Sequence, residues 1–286
     1  MISMARIGLV VRSGVSEAVD LGKQLIEWAA KNGHEVLADD DSAKALGLPA
    51  GGNSEVIATM CNPVVALGGD GTLIGVGRYV KGRPPVMLGV NFGRLGFLTE
   101  IAPTELFAAL KMALGGTAQY GTRTLLQCAV AREGQNVFSS QAVNDVVLHK
   151  GVFDKLMDIE LDVDGHPVSS IRCDGLIIST PTGSTAYNLS AGGPIVYPSL
   201  AVAVVTPICS HSLTHRPIVL PNDAKILLKV PKYDGSIALS IDGQEGFSLK
   251  VGDQINITKS PNSVIFVRSP SQSYFDILRQ KLNWGR

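Results

Sequence analysis

The fold of the first half is decided by an apolar run that enters a glycine-rich turn, Val64-Val65-Ala66-Leu67-Gly68-Gly69-Asp70-Gly71-Thr72. A short apolar run bounded by glycine is typical of a buried strand. Because glycine has no Cβ, the backbone after this strand can turn sharply and bring its N–H groups close to a ligand. Successive N–H groups in such a turn form a cradle for anions. We therefore expect a phosphate-binding turn here.

The aspartate inside this turn carries a second prediction. A carboxylate gains nothing from facing bare phosphate, so Asp70 indicates a substrate hydroxyl or a metal as its partner, while the amides hold the phosphates. The alternative is a strand-to-helix turn in which Asp70 serves only as a helix N-cap.

A second stretch, 172–187, combines a charged pair, an apolar strand and a turn dense in hydroxyl groups. Thr182, Ser184, Thr185 and Tyr187 offer four hydroxyls within six residues. Each can donate and accept a hydrogen bond, which suits the edges of ribose and adenine. The alternative is a Ser/Thr-rich cap in front of a short helix.

The composition indicates a globular chain with a substantial core. Of its 286 residues, 45% are hydrophobic and 17% are charged, which excludes a disordered protein. The length suits two domains better than one. The formal net charge is zero, so no basic field attracts nucleic acid or an anionic membrane. Phosphate groups must therefore be bound locally, by amides and a few side chains.

We expect a cytoplasmic protein without a membrane or nucleic-acid partner. No segment reaches the ~18 apolar residues that cross a bilayer, and residues 1–11 do not form a secretory signal. The four cysteines lie far apart and are expected to be reduced thiols.

Motifs of other enzyme classes are missing. There is no Gly-x-x-x-x-Gly-Lys-Ser/Thr P-loop, and no Gly-x-Gly-x-x-Gly opens the first helix. His211 and His215 have a metal-compatible spacing, but Pro207 and Pro217 bracket them and only Cys209 is near as a third ligand. We predict no resident metal, with zinc at these histidines as the alternative.

Up to about residue 120, predicted strands alternate with predicted helices. The strands cover 7–11, 64–67 and 86–90. One helix is expected to have Ser16 as its N-cap and to end at Asn32-Gly33. Another begins at Pro103 or Thr104 and ends at Gly115-Gly116. This alternation predicts an α/β domain with a parallel sheet. The segment 39–53 is expected to be a mobile surface loop.

After residue 120 the hydrophobic period becomes two. Residues 157–163 alternate apolar with mostly acidic side chains, and Asp164-Gly165 and Asp242-Gly243 are typical hairpin turns. The pattern predicts an all-β antiparallel sandwich, followed by an amphipathic helix over 273–279. The remaining predicted strands cover 125–130, 142–149, 226–230, 236–241, 254–257 and 264–267.

The motifs together resemble those of NAD kinases, enzymes that phosphorylate the 2′-hydroxyl of NAD to give NADP. The Gly-Gly-Asp-Gly element is shared with diacylglycerol and sphingosine kinases and with 6-phosphofructokinases, whereas the segment from Thr180 to Tyr187 points to the NAD kinase branch. The resemblance covers most of the chain. Its islands are 68–72, 91–98, 144–145, 174–175, 180–187, 207–209 with 216–219, and 242–244.

The resemblance implies an ATP-dependent NAD kinase of the bacterial type, a phosphotransferase with an alcohol acceptor. Two alternatives stay open: a Gly-Gly-Asp-Gly kinase for a lipid or a sugar, and a catalytically silent NAD-binding sensor. The hydroxyl-rich segment 180–190 fits a nucleotide rather than a lipid, and an intact Asp70 argues against a silent sensor.

The resemblance also implies roles for individual residues. Asp70 is expected to be the general base for the ribose hydroxyl, which is a weak nucleophile. Gly68, Gly69, Gly71 and Thr72 are expected to hold phosphate oxygens of ATP, with Mg²⁺ carried on those phosphates rather than in a protein cage.

On the NAD side, Asn144 and Asp145 are expected to read the adenine or an amide edge and the ribose, although relatives more often have glutamate at the second position. They could instead form only a turn, and Arg172 with Asp174 could instead be a surface ion pair. The full expected NAD-binding set is Asp70, Gly71, Asn144, Asp145, Lys155, Arg172, Asp174, Thr182, Thr185, Ala186, Tyr187, Asn188, Leu189, Ser190 and Gln244.

The resemblance finally implies how the chain is organised. We expect residues 1–119 and the C-terminal helix, 270–286, to form one domain, with the sandwich, 120–269, inserted between them. Family members pair through the sandwich, so a homodimer or homotetramer is expected.

Overall fold

A computed structural model describes residues 4–49, 51–93 and 96–283. The strands are β1 (Arg6–Val11), β2 (Glu35–Ala38), β3 (Val64–Leu67), β4 (Val86–Val90), β5 (Tyr120–Arg132), β6 (Gln135–Ala142), β7 (Asp145–Lys150), β8 (Met157–Val163), β9 (His166–Cys173), β10 (Gly175–Ser179), β11 (Val202–Ile208), β12 (Ile218–Pro221), β13 (Ile226–Lys229), β14 (Ile237–Ile241), β15 (Glu245–Leu249) and β16 (Gln254–Val267). The helices are α1 (Ser16–Lys31), α2 (Asp40–Leu46), α3 (Ser54–Met60), α4 (Asp70–Gly77), α5 (Leu106–Leu114), α6 (Tyr187–Ser190) and α7 (Tyr274–Leu282).

The chain divides into two compact units. The first contains the described residues up to Thr122 and from Asn262 onward, and the second contains Arg123–Pro261. The end of the expected C-terminal segment, 284–286, lies outside the described residues, as do Arg94 and Leu95 of the 91–98 motif.

The first unit is built on a parallel sheet with the strand order β2-β1-β3-β4. The register places Val11 at the end of β1 opposite Leu67 at the end of β3. On the far side of β4, Ile265 and Phe266 of β16 pair in parallel with Val86 and Met87. The prediction of an α/β domain with a parallel sheet is confirmed.

Helix α1 covers this sheet with one apolar face. Ala18, Leu21, Leu25 and Ala29 are buried at helical spacing and join the core of the strands. The expected N-cap at Ser16 is wrong, because Ser16 is the first helical residue and its hydroxyl donates to the adjacent Glu17 carboxylate instead of accepting from the helix. The helix ends at Asn32-Gly33 as predicted.

The prediction of a loop over 39–53 is also wrong, because the segment contains α2. The Asp39 carboxylate accepts from the N–H of Ser42 and so caps the helix, and Gly47 closes it with a φ of 71°. The hydroxyl of the buried Ser42 accepts from Val11 N–H, at 2.7 Å. Two of the polar residues that suggested a loop, Asp39 and Asn53, are therefore helix caps.

The second unit is a sandwich of two antiparallel layers, as predicted. One sheet has the order β12-β11-β10-β7-β14-β15, and the other contains β5, β6, β8, β9 and β13 with the first part of β16. Alternate residues of both sheets, such as Ile159 of β8 and Leu176 of β10, are fully buried and form one core. The Asp-Gly hairpins have positive φ at both residues, as their turn type requires.

Two strand predictions in this unit need correction. The expected strand 142–149 is broken between β6 and β7, because the N–H groups of Val143 and Asn144 bond to the Asp242 carboxylate rather than to a neighbouring strand. The expected strands 254–257 and 264–267 are one strand, β16, which continues through Pro261. Proline is compatible with a strand where its missing N–H is not needed by the ladder.

Among the residues that the structure describes, no helix is long and apolar enough to span a membrane.

Candidate active site

The glycine-rich turn of the first unit connects β3 to α4. Gly68 donates its N–H to the carbonyl of Val90, and Gly69 is the N-cap of α4. A Cβ on Gly68 would lie 2.4 Å from the Thr72 hydroxyl oxygen and 3.1 Å from the Arg12 Cβ. Only glycine therefore fits between these two side chains, and its presence allows the compact turn that the sequence predicts.

Asp70 is the first residue of α4, and its carboxylate points away from its own helix. Oδ1 accepts from the N–H of Leu98 (3.1 Å), the N–H of Thr99 (3.0 Å) and the Thr99 hydroxyl (2.9 Å), while among the described residues Oδ2 accepts only from the N–H of Phe97 (2.8 Å). The N-cap alternative for Asp70 is wrong, since Gly69 occupies that position. The carboxylate is instead fixed by the segment 97–99.

This arrangement leaves the two oxygens chemically different. A carboxylate has about four lone-pair sites, two on each oxygen. Oδ1 has three donors and is saturated, whereas Oδ2 has one donor within the described part of the chain and retains the capacity to accept a second hydrogen. Oδ2 is therefore the oxygen of Asp70 that is equipped to bind a substrate hydroxyl.

Gly96 and Thr99 hold the carboxylate in this position, and the residue-level predictions missed both. A Cβ on Gly96 would lie 2.1 Å from Asp70 Oδ1 and 2.1 Å from the Thr99 hydroxyl oxygen. Thr99 is fully buried. The sequence carried a signal, because Gly96 lies in the glycine-containing motif 91–98, but nothing in it connected that motif to Asp70.

The second unit has its own candidate site, a cavity of about 660 Å³, which is within the range of small-molecule pockets. It collects residues from the ends and turns of β7, β10, β11 and β14. Five predicted NAD-binding residues line it: Asn144, Asp145, Asp174, Ala186 and Tyr187. Lining residues that sequence reasoning missed include His149, Lys150, Ser240 and Asp242.

Asp145 and Asp242 form an acidic pair at this cavity. Asp145 is 4% exposed, and its burial together with the charge of Asp242 raises the pKa of Asp145 to about 7. Asp242 accepts from the N–H groups of Val143 (2.9 Å), Asn144 (2.7 Å) and Asp145 (3.0 Å). The sequence analysis treated Asp242 only as a hairpin residue, but its carboxylate shapes the turn that presents Asn144 and Asp145.

The turn that contains Asn144 is also hydrogen-bonded to the segment that follows β10. The Thr180 hydroxyl donates to the carbonyl of Val143 (2.6 Å), and the Thr180 N–H donates to that of Asn144 (2.8 Å). A Cβ on Gly183 would lie 2.2 Å from the Asn144 carbonyl oxygen. The glycine in the hydroxyl-rich run is thus required for close packing against the Asn144 backbone.

The charged pair of the 172–174 stretch separates in the structure. Asp174 lines the cavity and lies 3.4 Å from the ammonium of Lys150. Arg172 is exposed on β9 and is not among the residues that line the cavity. The predicted alternative of an ion pair between Arg172 and Asp174 is therefore replaced by a pair between Lys150 and Asp174.

Some residues of the hydroxyl-rich segment are buried and stabilise the fold, whereas others are exposed. Asn188 is fully buried, and its amide is bonded to the carbonyls of Ser184 and Pro194 and to the Thr206 hydroxyl. Thr182 is buried as well. The other predicted positions do not line the cavity: Thr185 and Leu189 are half-buried, while Ser190, Lys155 and Gln244 are exposed.

The residues described here contain no group of three or more His, Cys, Asp or Glu side chains placed to hold a metal. Of the two histidines considered for zinc, His215 has Nδ1 3.1 Å from the Ser210 hydroxyl and Nε2 3.4 Å from that of Ser169. Both ring nitrogens thus have hydrogen-bonding partners within the protein.

Comparison with known proteins agrees with both halves of this description. The ATP-NAD kinase N-terminal domain model matches residues 7–118, and the ATP-NAD kinase C-terminal domain model matches residues 143–269. The chain belongs to the NAD kinase family. The sequence is 42% identical to the NAD kinase of Geotalea daltonii over 282 residues, with 99% of each chain covered.

Solved structures of NAD kinases have the same fold. The yeast NADH kinase complexed with NADH superimposes with a TM-score of 0.90 at 25% identity, covering 99% of this chain and 88% of the yeast chain. An NAD kinase from Archaeoglobus fulgidus in complex with ATP gives a TM-score of 0.72 at 26% identity, covering 98% and 96%. The predictions of a phosphotransferase, of the NAD kinase family and of its fold are confirmed, and nothing in the comparisons supports a lipid kinase, a sugar kinase or a silent sensor.

Proposed function

We propose that this NAD kinase transfers the terminal phosphate of ATP to the 2′-hydroxyl of the adenosine ribose of NAD. The observation that carries the proposal is the full-length match to a curated NAD kinase, with the Gly-Gly-Asp-Gly turn of the first unit retained. Two relatives have been seen with nucleotides, the yeast NADH kinase with NADH and the archaeal NAD kinase with ATP.

On the phosphate-donor side, the turn 68–72 is proposed to bind phosphate oxygens at the N-terminus of α4. The helix dipole favours an anion there. The N–H groups of Gly68 and Thr72 already donate to the carbonyls of Val90 and Gly69, so for these two residues the proposed part is to form the turn. Mg²⁺ is proposed to arrive bound to the ATP phosphates, because Mg²⁺ retains water and phosphate ligands instead of requiring a protein cage.

Asp70 is proposed to be the general base, acting through Oδ2. The ribose hydroxyl donates to Oδ2 in the ground state and transfers its proton late, when its oxygen is already bonding to phosphorus. The three donors on Oδ1 hold the carboxylate still, so alignment is established before the substrate binds.

On the acceptor side, Asp145 is proposed to accept from ribose hydroxyls and Asn144 to read an amide or adenine edge. Asp174 is proposed to accept from the nicotinamide carboxamide, with Ala186 and Tyr187 lining the cavity. Arg172, Lys155, Thr182, Thr185, Asn188, Leu189, Ser190 and Gln244, together with Asp70 and Gly71, stay predicted NAD contacts. For Asn188, we narrow the proposal to its backbone, since the side-chain amide is bonded internally.

The cytoplasmic location and the homodimer or homotetramer also stay predictions.

The direct test supplies the purified protein with NAD, ATP and Mg²⁺ and measures NADP by chromatography. Parallel reactions replace NAD with a diacylglycerol or with fructose 6-phosphate. We expect NADP formation and no transfer to the other acceptors. Binding of NAD without any product would show that the protein is a sensor, and transfer to a lipid or sugar alone would show that the acceptor is wrong.

Replacing Asp145 with alanine is expected to weaken NAD binding by about 1.5–3 kcal/mol, the range for hydrogen bonds to a charged group. The Michaelis constant for ATP should change little, because the contact is on the acceptor side. Titration calorimetry with NAD measures the first effect and initial rates measure the second. Unchanged NAD binding by a folded Asp145→Ala variant would make the residue only part of a turn.

Asp145→Glu is the companion variant, because glutamate is more usual at this position in relatives. If the shorter aspartate draws the ribose closer, the longer side chain collides with it and weakens NAD binding. If a water fills the gap, glutamate displaces that water and binds NAD about equally well.

The raised pKa of Asp145 predicts opposite pH effects on stability and on NAD binding. The neutral carboxyl is favoured in the folded protein, so its contribution to stability is present below about pH 4 and is lost as the pH rises through about 7. The unliganded protein should thus melt at a lower temperature at pH 8 than at pH 6. The ionised form accepts from ribose hydroxyls, so NAD should bind about tenfold more weakly at pH 6 than at pH 8.

Asp145→Asn provides the matched control for both measurements, because it keeps the shape and removes the titrating group. The difference between wild type and variant isolates the contribution of Asp145 from that of all other groups. Profiles that run parallel in the two proteins would contradict the prediction.

A further inference from the structure

Arg12, the residue that follows β1, has no role in any of the sequence motifs. Its side chain is exposed, and no hydrogen bond, ion pair or ring contact engages it among the described residues. Its backbone is fixed, because its N–H donates to the carbonyl of Leu67 at 2.9 Å. Arg12 therefore lies level with the beginning of the glycine-rich turn, and its Cβ would be 3.1 Å from a Cβ placed on Gly68.

The order of the strands in the sheet places Arg12 where the chain connections change direction. From β1 the chain crosses to β2 on one side, and from β3 it crosses to β4 on the other side. Because such crossovers are right-handed, α1 and α4 lie on opposite faces of the sheet. The loops that follow β1 and β3 therefore diverge beyond Arg12 and Gly68, which lie close together. This topology predicts a crevice at the carboxyl ends of these two strands. Ligands of open α/β sheets bind at such a switch point.

The crevice between β1 and β3 is thus bordered by Arg12 on one side and by the turn 68–72 on the other. The segments 12–17 and 68–72, each of which connects a strand to the start of a helix, contain one cation, Arg12, and two carboxylates, Glu17 and Asp70. A nucleoside triphosphate is a multiply charged anion, and the chain has no net positive charge that would attract it. A cation at the crevice supplies a full positive charge, which backbone amides lack.

We propose that Arg12 binds the phosphate chain of the phosphate donor at the crevice between β1 and β3. The inference rests on the proposed function for the identity of that donor. A guanidinium presents paired N–H groups that match two phosphate oxygens, which a lysine ammonium cannot reproduce. Arg12 thereby adds charge and orientation to the phosphate chain that is proposed to bind at the turn 68–72.

The test compares Arg12→Gln, Arg12→Lys and a control, Arg83→Gln, by titration calorimetry with Mg²⁺ and ATP in the absence of NAD. Arg83 is an exposed arginine of the same unit that precedes β4, at the opposite end of the strands. We expect ATP to bind about 10–100-fold more weakly to Arg12→Gln. Arg12→Lys should fall between it and wild type, and Arg83→Gln should stay within about twofold. NAD binding should stay within about twofold in all three variants.

Inorganic tripolyphosphate is the second probe, measured directly and as a competitor of ATP. A parallel loss of ATP and tripolyphosphate binding in Arg12→Gln supports contact with the phosphates. If ATP binding falls while tripolyphosphate binding is unchanged, Arg12 contacts the nucleoside and the inference is wrong. Unchanged ATP binding by a folded Arg12→Gln, or a loss confined to NAD, also overturns it.

The two proposals fail in different ways. If the wild type produces NADP while its ATP affinity is insensitive to Arg12, only the role of Arg12 is wrong. If ATP affinity depends on Arg12 but no NADP forms, the acceptor is wrong and the role of Arg12 stands.

Discussion

Asp70→Asn is expected to lower the turnover of NAD phosphorylation by roughly 10²–10⁴, as for the loss of a general base. The hydrogen bonds around Asp70 explain why an amide is a poor substitute for the carboxylate. An amide has one acceptor oxygen, and three donors surround Oδ1, so the single oxygen of the substituted side chain must occupy that position. Its NH₂ group then replaces Oδ2, where it faces the Phe97 N–H and offers the substrate a donor instead of an acceptor.

Single-turnover and steady-state rates at saturating ATP and NAD measure this effect, and calorimetry checks that NAD affinity stays within a few-fold. Asp20→Asn is a suitable control, because Asp20 is an exposed aspartate of α1 in the same unit. Near-normal turnover by a folded Asp70→Asn variant would remove Asp70 from the reaction. A melting temperature close to that of wild type shows whether the variant is folded.

Much of the fold could be predicted because its signals are local. The apolar run 64–67 and the alternation over 157–163 each match a strand to the residue, since periodicity records which face of a strand is buried. The Asp-Gly pairs match hairpins because only a few residues tolerate positive φ. Two of the failed predictions, the loop over 39–53 and the strand 142–149, fail because of hydrogen bonds between distant residues: Ser42 with Val11, and Asp242 with Val143.

The candidate site shows the same limit. The sequence motifs pointed to Asp70, Asn144 and Asp145, but the residues that position them come from elsewhere in the chain. Asp242 is 97 residues from Asp145, and Thr99 is 29 residues from Asp70. Neither hydrophobic periodicity nor motif spacing can predict hydrogen bonds between residues so far apart in the chain. A Ser/Thr-rich run also cannot reveal which hydroxyls face a ligand and which, like Thr180, serve the backbone.

Gly96→Ala is expected to be nearly as damaging as the loss of Asp70 itself, although it adds only one methyl group. The new Cβ would lie 2.1 Å from Oδ1 of Asp70 and from the Thr99 hydroxyl oxygen, a separation that no real contact allows. Thr99 is fully buried and has no room to withdraw, so the carboxylate must rotate and abandon its donors. A displacement of about 1 Å at a reacting group costs roughly 10² in rate, so turnover should fall by at least that factor.

The control for this variant is Gly93→Ala, in the same segment, where a Cβ would meet nothing within 4 Å. It should leave turnover within about twofold.

A double variant separates positioning of Asp70 from general damage to the fold. If Gly96→Ala acts by displacing the Asp70 carboxylate, the two substitutions impair the same group. Adding Gly96→Ala to Asp70→Asn should then lower turnover by much less than the product of the two single losses. The Michaelis constant for ATP should change less than turnover in the single variant, because the new Cβ clashes with the side chains of Asp70 and Thr99 and not with the backbone proposed to bind phosphate. Fully multiplicative losses, or a Gly96→Ala enzyme with wild-type turnover, would show that the segment 96–99 does not position the base.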